Sequence, residues 1–282
     1  MKNLSGRAAF IRALLWVFLL PGVLLPGGVC AESPARTGPG DLRVLVVKIV
    51  DQGHFLSWLL AEAVQQGQVA NFHVETTHVR NVGARLRADR YDLVIAHAHA
   101  KPAQKLAAGG QLTDGRVVFA NARAIVGPAT DPAGVREATG FDAATARIVR
   151  TDVCWLVNQH PGLRELQERV VTGAARPACV IDAARNSGAG AITAAQAHAA
   201  YTVWGYHPFM QLHRDGMQAF AFGDRFLLRP LKIWIVADGG ATVSARRLTE
   251  VLLSSGVQQR IAAFRLPQDP LNQAWWPAAD VQ

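Results

Sequence analysis

Short apolar runs alternate with amphipathic segments in the first half of the chain. Leu42–Val50 is an aliphatic, β-branched run of the kind found in buried parallel strands. His54–Gln66 carries apolar residues at helical spacing, and Phe72–His78 predicts a second strand. An amphipathic helix over Val82–Ala88 leads into a third strand over Tyr91–Ala96. This order predicts an α/β fold, a doubly wound sheet with its ligand crevice at the carboxyl ends of the strands.

The middle of the chain has shorter and more Ala-rich segments than the first part. A long strand is predicted over Arg116–Val126. Shorter, Ala-rich segments follow it: Ala146–Val149, Pro161–Val171, Ile192–Ala199 and Ala200–Trp204. Strong apolar patterns return with a buried strand over Leu231–Ala237 and an amphipathic helix over Ala245–Phe264.

This change in the length and composition of the segments predicts two lobes. The first lobe is discontinuous and consists of residues 42–122 and 224–282, while the second lobe, residues 123–223, is inserted into it. Two crossings of the chain would then form a hinge, and a ligand would lie in the cleft between the lobes.

The N-terminal segment, residues 1–31, has the pattern of a signal peptide. A basic start precedes an apolar run over Ala13–Leu25, and the residues that follow fit cleavage after Ala31. An uncleaved anchor and lipidation of Cys30 are the alternatives. Residues 32–41 read as a Pro- and Gly-containing linker. We therefore expect an exported, periplasmic protein.

Charge excludes one class of function. Removal of residues 1–31, which hold three basic and no acidic residues, lowers the net charge from +8 to +5. The remaining chain has no run of five like charges, which nucleic-acid-binding segments commonly show. We therefore expect no nucleic-acid partner and a slight preference for small anionic ligands.

Two cysteines, Cys154 and Cys179, remain after the predicted cleavage. In an oxidising compartment they would pair and close a loop of about 25 residues, and the alternative is a pair of buried free thiols. Their spacing does not match that of zinc ligands.

A series of short motifs carries a family resemblance. They comprise Asp92 and His97 around one strand, Arg116 and Asn121 on the next, Val126-Gly127-Pro128, Asp131-Pro132-Ala133-Gly134, and the stretch Ala199-Ala200-Tyr201-Thr202-Val203. Together these motifs, spread over residues 45–212, resemble those of the tungstate/molybdate-type solute-binding proteins of ABC importers.

The resemblance implies a two-lobed type II periplasmic-binding-protein architecture, in which each lobe is a sheet flanked by helices and the ligand cleft lies between them. It also implies a monomeric extracytoplasmic receptor that captures a small oxyanion such as tungstate or molybdate. The implied partners are a membrane permease and its ATPase, and no cofactor is implied.

The ligand loops depart from the family pattern. Where the family has a Thr- and Ser-rich loop, this sequence has Asp51 and Gln52, and an ionised Asp51 would repel a dianion. A second loop keeps Arg150 and Thr151 but replaces a Ser-Gly-Thr cradle by Val153-Cys154-Trp155. These departures open the alternative of a divergent receptor for a metal ion or a small organic solute.

Candidate ligand-binding residues follow from the loops at strand ends, where backbone N–H groups, hydroxyls and arginines converge on oxyanions. They are Asp51, Gln52, His97, His99, Asn121, Arg123, Arg150, Thr151, Ser187, Gly188, Tyr201 and Trp204. Ordinary helix caps explain the loops around Asp51 and Ser187 equally well. Arg123 either faces the cleft or pairs with Asp131, and Trp204 either stacks on an organic ligand or packs between the lobes.

His97 and His99 form the most suggestive local pair. On an extended segment both imidazoles point to the same face and would share a metal ion with Asp51 or His54. In the alternative, His97 is the loop histidine of the family and His99 is solvated. His207 is expected at the surface or at the hinge.

Catalytic signatures are missing from the sequence. It contains no G-x-S-x-G, H-E-x-x-H or Walker A motif, and Gly188-x-Gly190 lacks the third glycine of a dinucleotide fingerprint. We therefore expect a binding protein and not an enzyme, with a hydrolase or transferase as the less favoured reading.

Overall fold

The computed structural model describes residues 41–48, 50, 54–65, 72–173, 176–212 and 215–281. No helix within these ranges is long and apolar enough to cross a membrane. The predicted signal peptide, residues 1–31, and all but the last residue of the predicted linker, residues 32–41, lie outside the described residues.

Strands and helices alternate along the chain. The strands are β1 (Leu42–Val47), β2 (Phe72–Thr77), β3 (Leu93–His97), β4 (Leu112–Pro128), β5 (Cys154–Leu156), β6 (Cys179–Ile181), β7 (Thr202–Gly205), β8 (Met217–Phe220), β9 (Leu228–Val236) and β10 (Trp276–Pro277). The helices are α1 (Phe55–Gln65), α2 (Val82–Ala88), α3 (Lys101–Ala108), α4 (Phe141–Val149), α5 (Arg164–Val171), α6 (Ala189–Ala197), α7 (Tyr206–Met210), α8 (Thr242–Leu252) and α9 (Ser255–Ala263).

The main sheet has the strand order β10-β4-β9-β3-β1-β2. β1 is parallel to both β2 and β3, as the βαβ pattern of the sequence predicts. β9 is antiparallel to β3 and to β4. β5 and β6 form a separate two-stranded parallel sheet. The mixed α/β architecture confirms the predicted fold class.

The long strand β4 belongs to both halves of the molecule. Its first part pairs with β9, and its last residues pair with β7 and β8. One hydrophobic cluster surrounds β1, β3 and β9, whereas a second contains Ile125, Phe141, Trp155 and Phe220. The lobe boundaries that we place at 122/123 and 223/224 remain a proposal, and β4 crosses the first of them without a break.

A buried carboxylate ties the main sheet to α8. Asp92, only 1 % exposed, accepts the backbone N–H of Arg43 on β1 at 2.9 Å and that of Ala241 at the start of α8 at 3.0 Å. A carboxylate at a helix N-terminus is favoured by the positive end of the helix dipole. The Asp92 of the family motif therefore has a structural role in this chain.

Two sequence-based predictions are wrong. The C-terminal helix predicted over Ala245–Phe264 is two helices, because Ser254 is extended (φ −63°, ψ 147°) and its hydroxyl donates to the carbonyl of Val251. His207, predicted at the surface or hinge, is 1 % exposed and packs against the Trp275 ring at 4.5 Å. Its flanking aromatic residues bring it into the core.

The Gly-Pro and Asp-Pro-Ala-Gly motifs hold Tyr201. The Asp131 carboxylate accepts hydrogen bonds from the Tyr201 hydroxyl at 2.7 Å and from the Val135 N–H at 2.8 Å, and the Ala133 N–H donates to the same hydroxyl at 3.2 Å. Gly127 lies under the Tyr201 ring, where a Cβ atom would be 2.1 Å from a ring carbon. These motifs therefore build the second hydrophobic cluster.

Tyr201→Phe should lower the free energy of unfolding by about 1–3 kcal/mol, because it leaves the buried Ala133 N–H without its acceptor and removes one of the donors to the Asp131 carboxylate. Tyr91→Phe is a matched control with a smaller expected loss, because Glu75 keeps its ion pair with Arg85. Gly127→Ala should cost more than Tyr201→Phe, because the ring has to move. Urea unfolding measures all three, and a Tyr201→Phe variant as stable as wild type would contradict the structural role.

The structure contains the predicted disulfide. Cys154 and Cys179 are opposite each other on β5 and β6, and their sulfurs are bonded. The bond closes a loop over a sequence separation of 25 residues.

Replacing both cysteines by serine should lower the free energy of unfolding by about 3 kcal/mol, which is the chain-entropy value for a loop of this size. Thermal unfolding with and without a thiol reductant measures the effect. The reductant should destabilise the wild type to a similar extent and leave the double variant unchanged. Equal stability of the oxidised and reduced wild type would refute the prediction.

Candidate ligand-binding cleft

A cavity of about 550 Å³ opens beside the point where β3, β4 and β9 meet. Its walls come from the loop after β3, from β4, from the segment 161–169 and from the segment 225–230. Strand ends and loops from distant parts of the chain thus converge on one concave surface, which is the usual setting of a ligand site in an α/β protein.

Two arginines lie side by side at the base of this cavity. Arg123 is on β4 and Arg229 on β9, and the register pairs Asn121 with Arg229. The Arg123 guanidinium donates to the carbonyls of Phe226 at 3.2 Å and Gly162 at 2.9 Å. The Arg229 side chain makes no hydrogen bond and no ion pair with any described residue. Like charges close to each other are unfavourable unless an anion compensates them.

Burial lowers the pKa of both arginines, and repulsion from Arg123 also lowers that of Arg229. Desolvation and, as the smaller cause, the charge of Arg123 together lower the pKa of Arg229 to about 10. Desolvation also lowers the pKa of Arg123, an effect that the more distant Glu165 partly offsets. Both guanidinium groups remain charged at neutral pH, so the cavity presents two partly buried positive charges.

Burial and the nearby arginines lower the pKa of two histidines. Burial lowers the pKa of His97 to about 3, and the charge of Arg229 is the next largest cause. Its Nε2 atom and Oδ1 of Asn121 are buried and make no well-formed hydrogen bond to a described residue, while the nearby Asn121 side chain raises the His97 pKa against these two effects. The pKa of His160 is lowered by desolvation and then by Arg229 and Arg123. His97 is therefore neutral and able to donate or accept one hydrogen bond.

A smaller cavity of about 140 Å³ continues the cleft inward. It shares Arg123 and Arg229 with the larger one and adds Asn121, His160 and Trp204. Trp204 also packs against both hydrophobic clusters. It therefore both lines the cleft and lies at the boundary between the two cores.

The outer part of the cavity carries further positive charge. The guanidinium groups of Arg169 and Arg225 lie over the Phe226 ring, 4.1 and 4.8 Å from its centroid, which are cation–π distances. Lys101 stands across the rim, at the start of α3. The lining thus contains five basic side chains and one acidic side chain, Glu165. The described part of the cleft therefore has a strongly positive potential.

The cleft contains five of the twelve predicted ligand residues. His97, His99 and Arg123 line the larger cavity, whereas Asn121, Arg123 and Trp204 line the smaller one. Arg123 faces the cleft and does not pair with Asp131. Sequence reasoning missed Arg229, although its position just before the predicted strand Leu231–Ala237 places it at a strand end.

The five other predicted residues that the structure describes do not line these two cavities. Tyr201 is fully buried and bonded to Asp131. The Thr151 hydroxyl donates to the Ile148 carbonyl, and the Gly188 N–H donates to the Asn158 side chain. Arg150 and Ser187 are exposed. Asp51 and Gln52 lie outside the described residues.

The histidine pair does not form a metal site with other described residues. No group of three His, Cys, Asp or Glu side chains within the described ranges is arranged to hold a metal ion. His99 is exposed, and the positive charge of Arg229 opposes a cation next to His97. Asp51, which together with His54 was expected to supply a further ligand, lies outside the described residues, so the metal alternative remains a prediction.

Comparison with known proteins identifies the fold of the chain. No family model and no curated protein sequence matches the chain. Among solved structures, the chain is similar to the tungstate-binding protein TupA from Desulfovibrio alaskensis G20, with a TM-score of 0.63 and 16 % identity over 85 % of this chain and 99 % of that one. It is also similar to the tungstate ABC transporter structure from Geobacter sulfurreducens, with a TM-score of 0.55 and 18 % identity over 79 % and 98 %. The predicted type II periplasmic-binding-protein architecture is confirmed.

Acidification is expected to destabilise the protein between pH 6.5 and 3. Burial lowers the pKa of both His97 and His207 to about 3, whereas these side chains have a pKa near 6.5 in the unfolded chain. The unfolded state binds more protons in this window, so stability is complete above pH 6.5 and falls as the pH drops. The slope should reach about 1.4 kcal/mol per pH unit for each histidine.

His207→Phe should flatten this slope by removing one titrating group while keeping a ring against Trp275. His198→Gln is the matched control, because His198 is exposed, and it should leave the slope unchanged. Urea unfolding at several pH values measures the slope. An unchanged slope in the His207→Phe variant would show that His207 is not kept neutral by the fold.

Proposed function

We propose that this chain is an exported solute-binding receptor of an ABC importer that captures a small oxyanion, with tungstate and molybdate as the first candidates. The observation that carries the proposal is the Arg123–Arg229 pair, which faces a cavity and in which Arg229 has no ion pair to a described residue. The names of similar solved structures, which bind tungstate or belong to a tungstate transporter, support the same ligand class.

The chemistry of the pair suits an anion. Guanidinium groups offer N–H donors in a planar fork that matches two oxygen atoms of an oxyanion or a carboxylate. A bound anion would replace the repulsion between the two arginines by attraction, and it would raise the lowered pKa of Arg229. His97 Nε2 and Asn121, whose buried polar atoms lack partners, would complete the contacts.

The proposed lobes give the receptor a way to close. With lobe boundaries at 122/123 and 223/224, Arg123 lies on β4 where this strand enters the second lobe, and Arg229 lies on β9 of the first lobe, shortly after the second crossing. An anion between them would attract donors from both sides of the hinge. Arg150, Thr151, Ser187 and Gly188, together with Asp51 and Gln52, remain proposed ligand residues that would approach the anion on closure.

The remaining parts of the proposal concern location and partners. Residues 1–31 would direct export, and the Cys154–Cys179 bond suits an oxidising compartment such as the periplasm. The receptor would deliver its ligand to a membrane permease driven by an ATPase, and it would act without turnover of the ligand.

Titration calorimetry with tungstate, molybdate, sulfate, phosphate and divalent metal ions tests this function. We expect tungstate or molybdate to bind with a dissociation constant below about 1 µM. Arg229→Gln should weaken binding about 10- to 100-fold, since a hydrogen bond to a charged group contributes about 1.5–3 kcal/mol.

Arg247→Gln provides the matched control. It removes the same charge from the exposed surface of α8, outside the cleft, and should change the affinity less than about twofold because exposed charges are screened. Absence of binding to every anion tested would rule out the receptor function. Binding of a divalent metal ion alone would favour the metal alternative.

A further inference from the structure

We infer that the cleft recognises an organic anion with at least two separated acidic groups, such as a di- or tricarboxylate or a phosphorylated carboxylate. The inference rests on the proposed receptor function and its anion-binding cleft, and it names an organic anion in place of tungstate or molybdate as the best ligand. Three features of the described cleft carry it: the size of the cavity, the absence of hydroxyl groups from its lining, and the arrangement of its cations on two levels.

The first feature is size. The cavity of about 550 Å³ falls within the range of about 300–1,000 Å³ that is usual for organic ligands. A single tetrahedral oxyanion would fill a small part of it. The apolar side chains of Val79, Leu166 and Leu228 also face this space, and they suit carbon atoms better than a fully hydrated inorganic ion.

The second feature is the type of donor. None of the described residues that line the two cavities is a serine or a threonine. Four of the five basic side chains in the larger cavity are arginines, whose planar fork fits a carboxylate or phosphate group through two parallel hydrogen bonds. The donor set therefore matches the acidic groups of an organic molecule.

The third feature is the two-level arrangement of charge, with Phe226 between the levels. The Phe226 carbonyl accepts a hydrogen bond from Arg123 in the inner level, and its ring carries Arg169 and Arg225 in the outer level. Arg169 is already paired with Asp142 at 3.2 Å, whereas Arg225 has no ion pair with a described residue. One acidic group at Arg229 and a second at Arg225 would satisfy both levels at once.

The test compares acetate, succinate, tricarballylate, 3-phosphoglycerate and tungstate by titration calorimetry on the full mature chain. We expect at least one of the three multivalent organic anions to bind 100-fold more tightly than acetate and more tightly than tungstate. The identity of that anion distinguishes a carboxylate from a phosphate as the second acidic group.

Three variants locate the two acidic groups of the best organic ligand. Arg229→Gln should weaken that ligand and acetate alike, whereas Arg225→Gln should weaken that ligand about tenfold more than acetate. Glu165→Gln should strengthen binding several-fold, because it removes the one acidic side chain among the described lining residues. Arg247→Gln again serves as the control for loss of an exposed positive charge.

The outcomes separate this inference from the proposed function. Tight binding of tungstate with no binding of the organic anions would overturn the inference and leave the receptor function in place. Absence of binding to every anion would remove both. Equal effects of Arg225→Gln on acetate and on the multivalent ligand would show that the outer level does not hold a second acidic group.

Discussion

The antiparallel pairing of β4 with β9 brings two arginines into neighbouring positions in the interior of the molecule. Beyond this point β4 continues into its pairing with β7 and β8, so the same strand builds both hydrophobic clusters. Neither arginine is able to leave the cleft without disturbing this ladder, because each is fixed by its place on a strand. The burial that lowers the pKa of Arg229, and the smaller effect of repulsion from Arg123, are thus consequences of the sheet register.

The residues that determine the fold are largely distinct from those that line the cleft. Asp92, Gly127, Asp131 and Tyr201 belong to the motifs that carry the family resemblance, and each contributes a buried contact. Arg123 and Arg229 lie outside those motifs. The fold therefore does not fix the ligand, because the Asp131–Tyr201 contacts do not depend on what the arginines bind.

Much of the fold followed from local patterns. The strands β1 and β3 are aliphatic runs, and the boundaries of β1, β2 and β3 lie within three residues of the predicted ones. The strands β5, β6 and β8 have three or four residues each, too few for a hydrophobic period to emerge. The break at Ser254 and the burial of His207 depend on contacts with distant side chains, which local pattern does not contain.

The site was harder to predict, because its parts come from distant positions. Arg123 contacts the Phe226 carbonyl across a sequence separation of 103 residues, so no local spacing reveals that Arg229 is its neighbour. Buried polar atoms without partners are also insufficient on their own, since His207 and Trp275 in the aromatic core share this property with His97 and Asn121. What distinguishes the cleft is the combination of such atoms with open volume and uncompensated charge of one sign. That combination costs stability in the free protein, and a bound anion would offset the cost.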